Sequence, residues 1–511
     1  MGRKERRIQK KLEKNPIGEL NKIQNRFYSQ LFWKFSQTKD PRHPSYITYS
    51  NRMMLGTLYY KGIAGIDSMQ EMTERFNDET ISKNLSVFMG EKAGEYLPHH
   101  VTENEYLEKL DPMELEEIKQ DLVYHLIRKR SFEDARYKKK WLVIVDGTQL
   151  YCGQRKLNEH CLERCSNKGT DKEITLYHRD VLEAKIYFGE KLVASIGSEF
   201  IENNGEDRKR QENMSAEEIK QDCETKAFFR LAERIKKRFP RLPILLLADS
   251  LYASNPVMEL CREYKWEFLI RYKKGSIPSI AEEYEKIPEK GRAGKAEFVN
   301  DIDHEGRQVN VLRYREEEEG SVREFQWLSS MKITKGNAEK MAETGRKRWK
   351  IENEGFNRQK NWQGSITHTC SWDDQAQKNH YLMEQISEFM KQLYEHYYLK
   401  KNGIEKKLCR VKVLKGEFAP TEEDKKIFSE QELAEGYRLA CRLYPEQPCE
   451  IELPDEEEEF FVLAEGKDKG IDVSENLEYG IAVDIGTTTI AMELIELETG
   501  KIADVYTSIN K

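Results

Sequence analysis

Three carboxylates draw attention because each sits where a folded element could hold it still. Asp146 ends the apolar run "WLVIVD" (141–146), Asp249 ends "LPILLLAD" (242–249), and Glu352 lies in "RWKIENEGFN" (348–357). Carboxylate oxygens are hard ligands that suit Mg²⁺. Two such ions about 3.5–4 Å apart can activate one oxygen and stabilise another at phosphorus. A single Asp after an apolar strand is ordinarily a turn or cap residue. Three acids in this order, two at strand ends and one on a later helix, point instead to phosphodiester chemistry. Arg348 precedes Glu352 by four residues, so a regular helix puts both on one face. There it could pair with that Glu or grip a phosphate bidentately. Trp349 and Trp362 could stack on unpaired bases, with core packing as the competing role.

The elements that must position these groups can be read around them. From Lys140 the pattern is strand 141–151, strand 174–189, strand 191–202, a helix from about Ser215 to Arg238, strand 242–249, a short helix, and strand 267–275. This is a mixed α/β sheet of RNase H-like order. Residues 280–335 alternate in short segments and read as a β insertion, and helical spacing returns over 336–400. Residues 1–139 read as helical, with "DPMELEEIKQDLVYHLIRKR" (111–130) opening on an Asp cap. Their mix of basic and aromatic residues suits contact with a DNA backbone, or simply solvated helix faces. The expected domains are therefore 1–139, 140–402, 403–455, an acidic linker over 456–478, and 479–511.

Charge divides the chain in the same way. The net charge is −7 over 511 residues, but from Gly403 onward there are 13 Lys and Arg against 26 Asp and Glu, leaving a net +6 before it. The first 400 residues could meet a polyanion that the tail would repel. Nine scattered cysteines suit reduced thiols. With no apolar membrane span and no signal-peptide pattern, a cytoplasmic, membrane-free protein is expected. "NEHCLERC" (158–165) matches no zinc-finger spacing. In "QDCE" (221–224), Asp222 either lies near the site or favours a helix start. His368 and His380 read as DNA-facing or structural.

On "VIVDGTQLY", "QDCETKAFFRLAERIKKRFPRLPILLLADSLYAS" and "RWKIENEGFN", residues of about 20–400 resemble DDE-type insertion-sequence transposases, in the branch with a β insertion between the second Asp and the Glu. The resemblance implies an enzyme that cuts and joins double-stranded DNA at transposon ends and in target DNA, working as a homodimer in the cytosol. It implies Asp146, Asp249 and Glu352 as ligands of two Mg²⁺ ions, replaceable by Mn²⁺. The family signature Tyr-x2-Arg-x3-Glu-x6-Lys is met at Arg348 and Glu352. Its Tyr position is Gly345 here, and Lys360 falls one residue late.

The tail carries a second resemblance. Residues 409–454 resemble the later part of a [2Fe–2S] ferredoxin domain, and "YGIAVDIGTTTIAMELIELETGKIADVYTSINK" (479–511) resembles the opening of the ASKHA-type ATPase domain in reductive activators of corrinoid proteins. Cys409 and Cys441 fall at the third and fourth cluster positions, with no Cys in "KKNGIEKKL" to supply the earlier ligands. Asp484, Gly486, Thr487, Thr488 and Thr489 form a phosphate-type loop. Only the first three strands of one ATPase lobe follow that pattern. The expectation is a truncated remnant with no complete cluster and no stable ATP binding.

Overall fold

The computed structural model describes residues 16–511 except 93–95, 167–169, 171–172, 190, 203–221, 274, 319–320, 362–365, 400–409, 417, 422–423, 425–429, 440–449, 453–478, 486–488, 497–501 and 510–511. The chain forms two compact units, 1–401 and 402–511. No helix among the described residues is long and apolar enough to cross a membrane.

The first unit is an RNase H-like mixed α/β sheet behind a helical N-terminal region. Strands β1 (Trp141–Gly153), β2 (Leu162–Ser166), β3 (Ile174–Gly189), β4 (Leu192–Ile201), β5 (Ile244–Ala248) and β6 (Glu267–Arg271) build its first half. Strands β7 (Gly291–Ala293), β8 (Ala296–His304), β9 (Arg307–Glu318) and β10 (Ser321–Ser329) follow. The sheet runs β2-β3-β1-β5-β6-β10-β9-β8-β7, with β4 also on β3. Strand β1 pairs antiparallel with β3 and parallel with β5, and β5 pairs parallel with β6. All five residues of β5, Ile-Leu-Leu-Leu-Ala, are buried. A parallel central strand covered on both faces must read as such a continuous apolar run.

Alternate residues of these strands feed two cores. Val143, Val145, Leu246 and Ala248 pack with Phe228, Leu231 and Ile235 of the Glu224–Arg238 helix. Leu142, Ile144, Leu245 and Leu247 pack on the other face with Met341, Ile351 and Phe356. The Asp374–Tyr394 helix is buried along most of its length and carries charges inward, among them Glu388, which accepts from Arg358 at 2.6 Å.

Three details differ from the sequence pattern. Strand β2 lies inside "NEHCLERC" and pairs with the first half of the sixteen-residue β3, while β4 pairs with the second half. The described helix spans Glu224–Arg238, with Asp222 before it accepting from Arg230 at 2.7 Å, and the expected start near Ser215 lies outside the described residues. Residues 18–35, whose apolar and aromatic residues recur at helical spacing, are broken between helices Pro16–Tyr28 and Leu31–Gln37. The β insertion also extends the main sheet, since β10 pairs antiparallel with β6.

In the second unit, β11 (Arg410–Lys415) lies between β12 (Tyr437–Leu439) and β13 (Glu450–Glu452). Strands β14 (Tyr479–Ile485), β15 (Thr489–Glu496) and β16 (Ile502–Ile509) form an antiparallel meander.

The missing Tyr of the transposase signature has a packing explanation. A Cβ at Gly345 would meet Trp327 Nε1 at 2.5 Å, so the indole of β10 fills the space a side chain would need. Both residues are buried. Gly345→Ala should therefore destabilise the first unit by roughly 1–3 kcal/mol in urea unfolding. Gly336→Ala, with nothing within 4 Å of the added Cβ, should change stability by no more than about 0.5 kcal/mol. Equal stabilities for the two variants would refute this packing.

Candidate active site

The parallel register of β1 and β5 sets Ile144 beside Leu247. Carried two residues further, it puts Asp146 beside Asp249, on strands about 4.8 Å apart. The alternation that buries Leu142, Ile144, Leu245 and Leu247 on one face places both aspartates at the end of that same face. Asp249 also caps the short turn Ser250–Tyr252, its Oδ1 accepting from Leu251 N at 2.8 Å.

Glu352 approaches from a segment that is not a regular α-helix. After the Ala338–Arg346 helix the chain tightens into a 3₁₀ turn over Lys347–Trp349 and widens into a π-turn over Ile351–Phe356. Ile351 and Phe356, both buried, anchor the π-turn to the sheet. π-turns inside helices are rare and cluster at functional sites. The irregularity also changes the pairing of Arg348: its Nη1 donates to Asp146 Oδ2 at 3.0 Å, and both side chains are largely buried.

The charges of Asp249, Glu352 and Glu224 all reach Asp146. Burial, the larger cause, and these three like charges push its carboxyl up to about 6, against the opposing pull of Arg348. Glu224 was not among the residues expected at this site. It opens the Glu224–Arg238 helix on the opposite face of the sheet and packs against Gly147, where a Cβ would meet its Oε2 at 2.7 Å. Tyr252, fully buried, donates to Glu224 Oε1 at 2.6 Å. Burial and the charges of Asp249 and Asp180 raise the Glu224 carboxyl, against the Tyr252 hydrogen bond. The sequence signal was present in "QDCE", two residues beyond the Asp222 that drew notice. Asp222 is engaged with Arg230 and the Glu202 backbone N–H. A cavity of about 350 Å³ opens here, lined by Gly147, Gln149, His178, Asp180 and Glu224 among others.

Cations and aromatics surround the carboxylates. The Arg271 guanidinium, at the end of β6, lies 4.8 Å from the Phe325 ring and 5.5 Å from that of Trp327, and burial and Arg348 lower its pKa. Trp349 is half exposed, with the Arg348 guanidinium 4.8 Å from its ring. Lys360 is half-buried on the Asn357–Asn361 helix. Asp484 and Thr489 lie on β14 and β15. Trp362, Cys409, Cys441, Gly486, Thr487 and Thr488 lie outside the described residues.

A second cluster, His160, Glu202 and Asp374, brings its ligand atoms within 4.8 Å of one another. Arg179 and Lys378 already pair with both carboxylates, Lys378 at 2.7 Å from each. Two cations on two carboxylates make this an ion-pair knot, and a divalent ion would have to displace them. Around Asp146, Arg348 is the cation that the described residues bond to that aspartate, and hard oxygen donors with surplus negative charge fit Mg²⁺ or Mn²⁺.

An acid whose folded pKa stands above its unfolded value of about 3.9 costs the folded state when it ionises. That cost is absent below about pH 4 and complete above about pH 6. Metal-free Asp146→Asn should thus be more stable than the parent by roughly 1–3 kcal/mol near pH 7.5, and equal to it near pH 4. Urea unfolding at the two pH values checks this. A variant less stable near pH 7.5 would mean that the Arg348 pair outweighs burial and repulsion.

Residues 221–383 match the family model of the transposase DDE domain, a span that includes Glu224, Asp249, Arg348 and Glu352, while Asp146 precedes it. Residues 479–511 match the RACo middle region. No curated protein matches the chain. The two matches fit a transposase fused to a corrinoid-activator fragment.

Proposed function

We propose that this chain is a DNA transposase that cleaves the ends of an insertion sequence and joins the freed 3′ strands to target DNA. The observation that carries the reading is the approach of Asp249 and Glu352 to Asp146, beside Arg348, in a chain with a transposase DDE domain. Asp146, Asp249 and Glu352 would hold two Mg²⁺ ions, with Mn²⁺ able to replace them. Bound there, the ions would supply Lewis-acid activation of the attacking and leaving oxygens.

The remaining work falls to the protein's own groups. Strands β1 and β5 fix the two aspartates side by side, so little reorganisation is needed when charge develops at phosphorus. The planar fork of Arg348 matches a pair of phosphate oxygens, so it would hold the scissile phosphate against the carboxylate side of the cleft. Trp349, Lys360 and Trp362 are proposed DNA contacts, the two tryptophans by stacking on unpaired bases. The helical region before β1 would carry further contacts to the duplex, in a homodimer assembled on DNA in the cytosol.

The RACo match favours a second reading, in which the tail works as an electron-transfer or ATP-driven activator of a corrinoid protein. An absorbance scan of anaerobically purified protein for an iron–sulfur cluster separates the two, and the transposase reading expects none.

Mg²⁺-dependent nicking of a duplex bearing the element's terminal repeats tests the main proposal. Asp146→Asn should slow nicking by on the order of 10³-fold or more while leaving end binding intact. Nicking at the parent rate by that variant would end the assignment. Absence of nicking by the parent protein would leave an inactive DNA-binding relic.

A further inference from the structure

We propose that Glu224 is a fourth carboxylate of the divalent-cation cluster, admitted by Gly147 and tethered by Tyr252. The inference rests on the transposase reading of the site and adds to it a ligand group from a separate element.

Asp146, Asp249 and the π-turn of Glu352 belong to one face of the sheet, with Ile351 and Phe356 in the core beneath them. Glu224 belongs to the other face, as the first residue of a helix whose Phe228, Leu231 and Ile235 pack beneath the sheet. A carboxylate from that layer reaches the cluster only where the intervening strand has no side chain. Gly147, directly after Asp146, is that position: a Cβ there would sit 2.7 Å from Glu224 Oε2 and 3.5 Å from Oε1.

The carboxylate is also oriented. Tyr252 Oη donates to Oε1 at 2.6 Å. Tyr252 ends the short turn that Asp249 caps, so one turn holds both a cluster aspartate and the tether of Glu224. The Tyr252 ring packs on Phe228 of Glu224's own helix, with centroids 5.1 Å apart. With Oε1 engaged, Oε2 is the oxygen nearer Gly147 and the one left to face an ion or its hydration shell.

A core of like charges needs a reason to persist. Glu224 lies within the field of both Asp146 and Asp249, and burial opposes its ionisation further. A purely structural acceptor for the Tyr252 hydroxyl could be a neutral Gln. A bound divalent cation turns the repulsion into attraction and accounts for the charge.

Titration calorimetry of the full chain with Mn²⁺ alone, without DNA, reads this directly. Glu224→Gln keeps the length of the side chain and the acceptor for Tyr252, and should weaken Mn²⁺ binding by about 10-fold or more. Tyr252→Phe should weaken it by a smaller factor, through loss of the tether. Circular dichroism and urea unfolding without metal confirm that each variant is folded. Asp249→Asn is the reference. If it loses Mn²⁺ binding while Glu224→Gln and Tyr252→Phe bind like the parent, the fourth carboxylate is refuted and the three-carboxylate reading stands. If Asp249→Asn also binds like the parent, the transposase reading of the site fails with it. Should Glu224→Gln not fold, unchanged Mn²⁺ affinity in Tyr252→Phe would by itself overturn the tether.

Discussion

Like charges forced together are the constraint on which the first unit depends. Asp146 lies in the combined field of Glu224, Asp249 and Glu352, and Arg348 is the cation bonded to it. Burial strengthens the repulsion among these charges, and the framework holds them in place against it. The fully buried β5, paired in parallel with β1 and β6, supplies a backbone that cannot splay without exposing apolar surface on both faces. The two cores anchor carboxylates from opposite layers of the sheet.

The β insertion belongs to that framework. Its strand β10 is hydrogen-bonded to β6, and Trp327 from β10 lies under Gly345, three residues before Arg348. Arg271, on the paired strand, lies over Phe325 and Trp327. The insertion thus sets where the 345–356 segment rests, and through it where Arg348 and Glu352 are presented.

The parts of the site legible in the sequence were those encoded by strands. Asp146 and Asp249 stand at the ends of apolar runs, and parallel pairing with a fixed register places them side by side. The fold class followed from the same runs. What was not legible came from local backbone geometry. The i,i+4 spacing of Arg348 and Glu352 assumes a regular helix, whereas a 3₁₀ turn followed by a π-turn directs the guanidinium to Asp146. Glu224 was hidden because its approach depends on a missing Cβ at Gly147, a contact between layers that no spacing rule encodes. Strand β2 was not read in "NEHCLERC", whose cysteines and histidine match no zinc-finger spacing; Cys161 is a buried thiol and His160 sits with the Arg179 and Lys378 ion pairs.

The segment that matches the RACo middle region lies in the second compact unit. The carboxylates whose charges reach Asp146 among the described residues, together with Arg348, lie between residues 146 and 352, inside the first compact unit. From Gly403 onward, acidic residues outnumber basic ones by two to one. A Debye length of about 8 Å at physiological ionic strength screens exposed charges beyond their immediate surroundings, while partly buried charges such as Asp146 and Arg348 feel mainly their neighbours. A negative tail therefore acts on the approach of a polyanion, where association is steered by exposed charge and depends on salt.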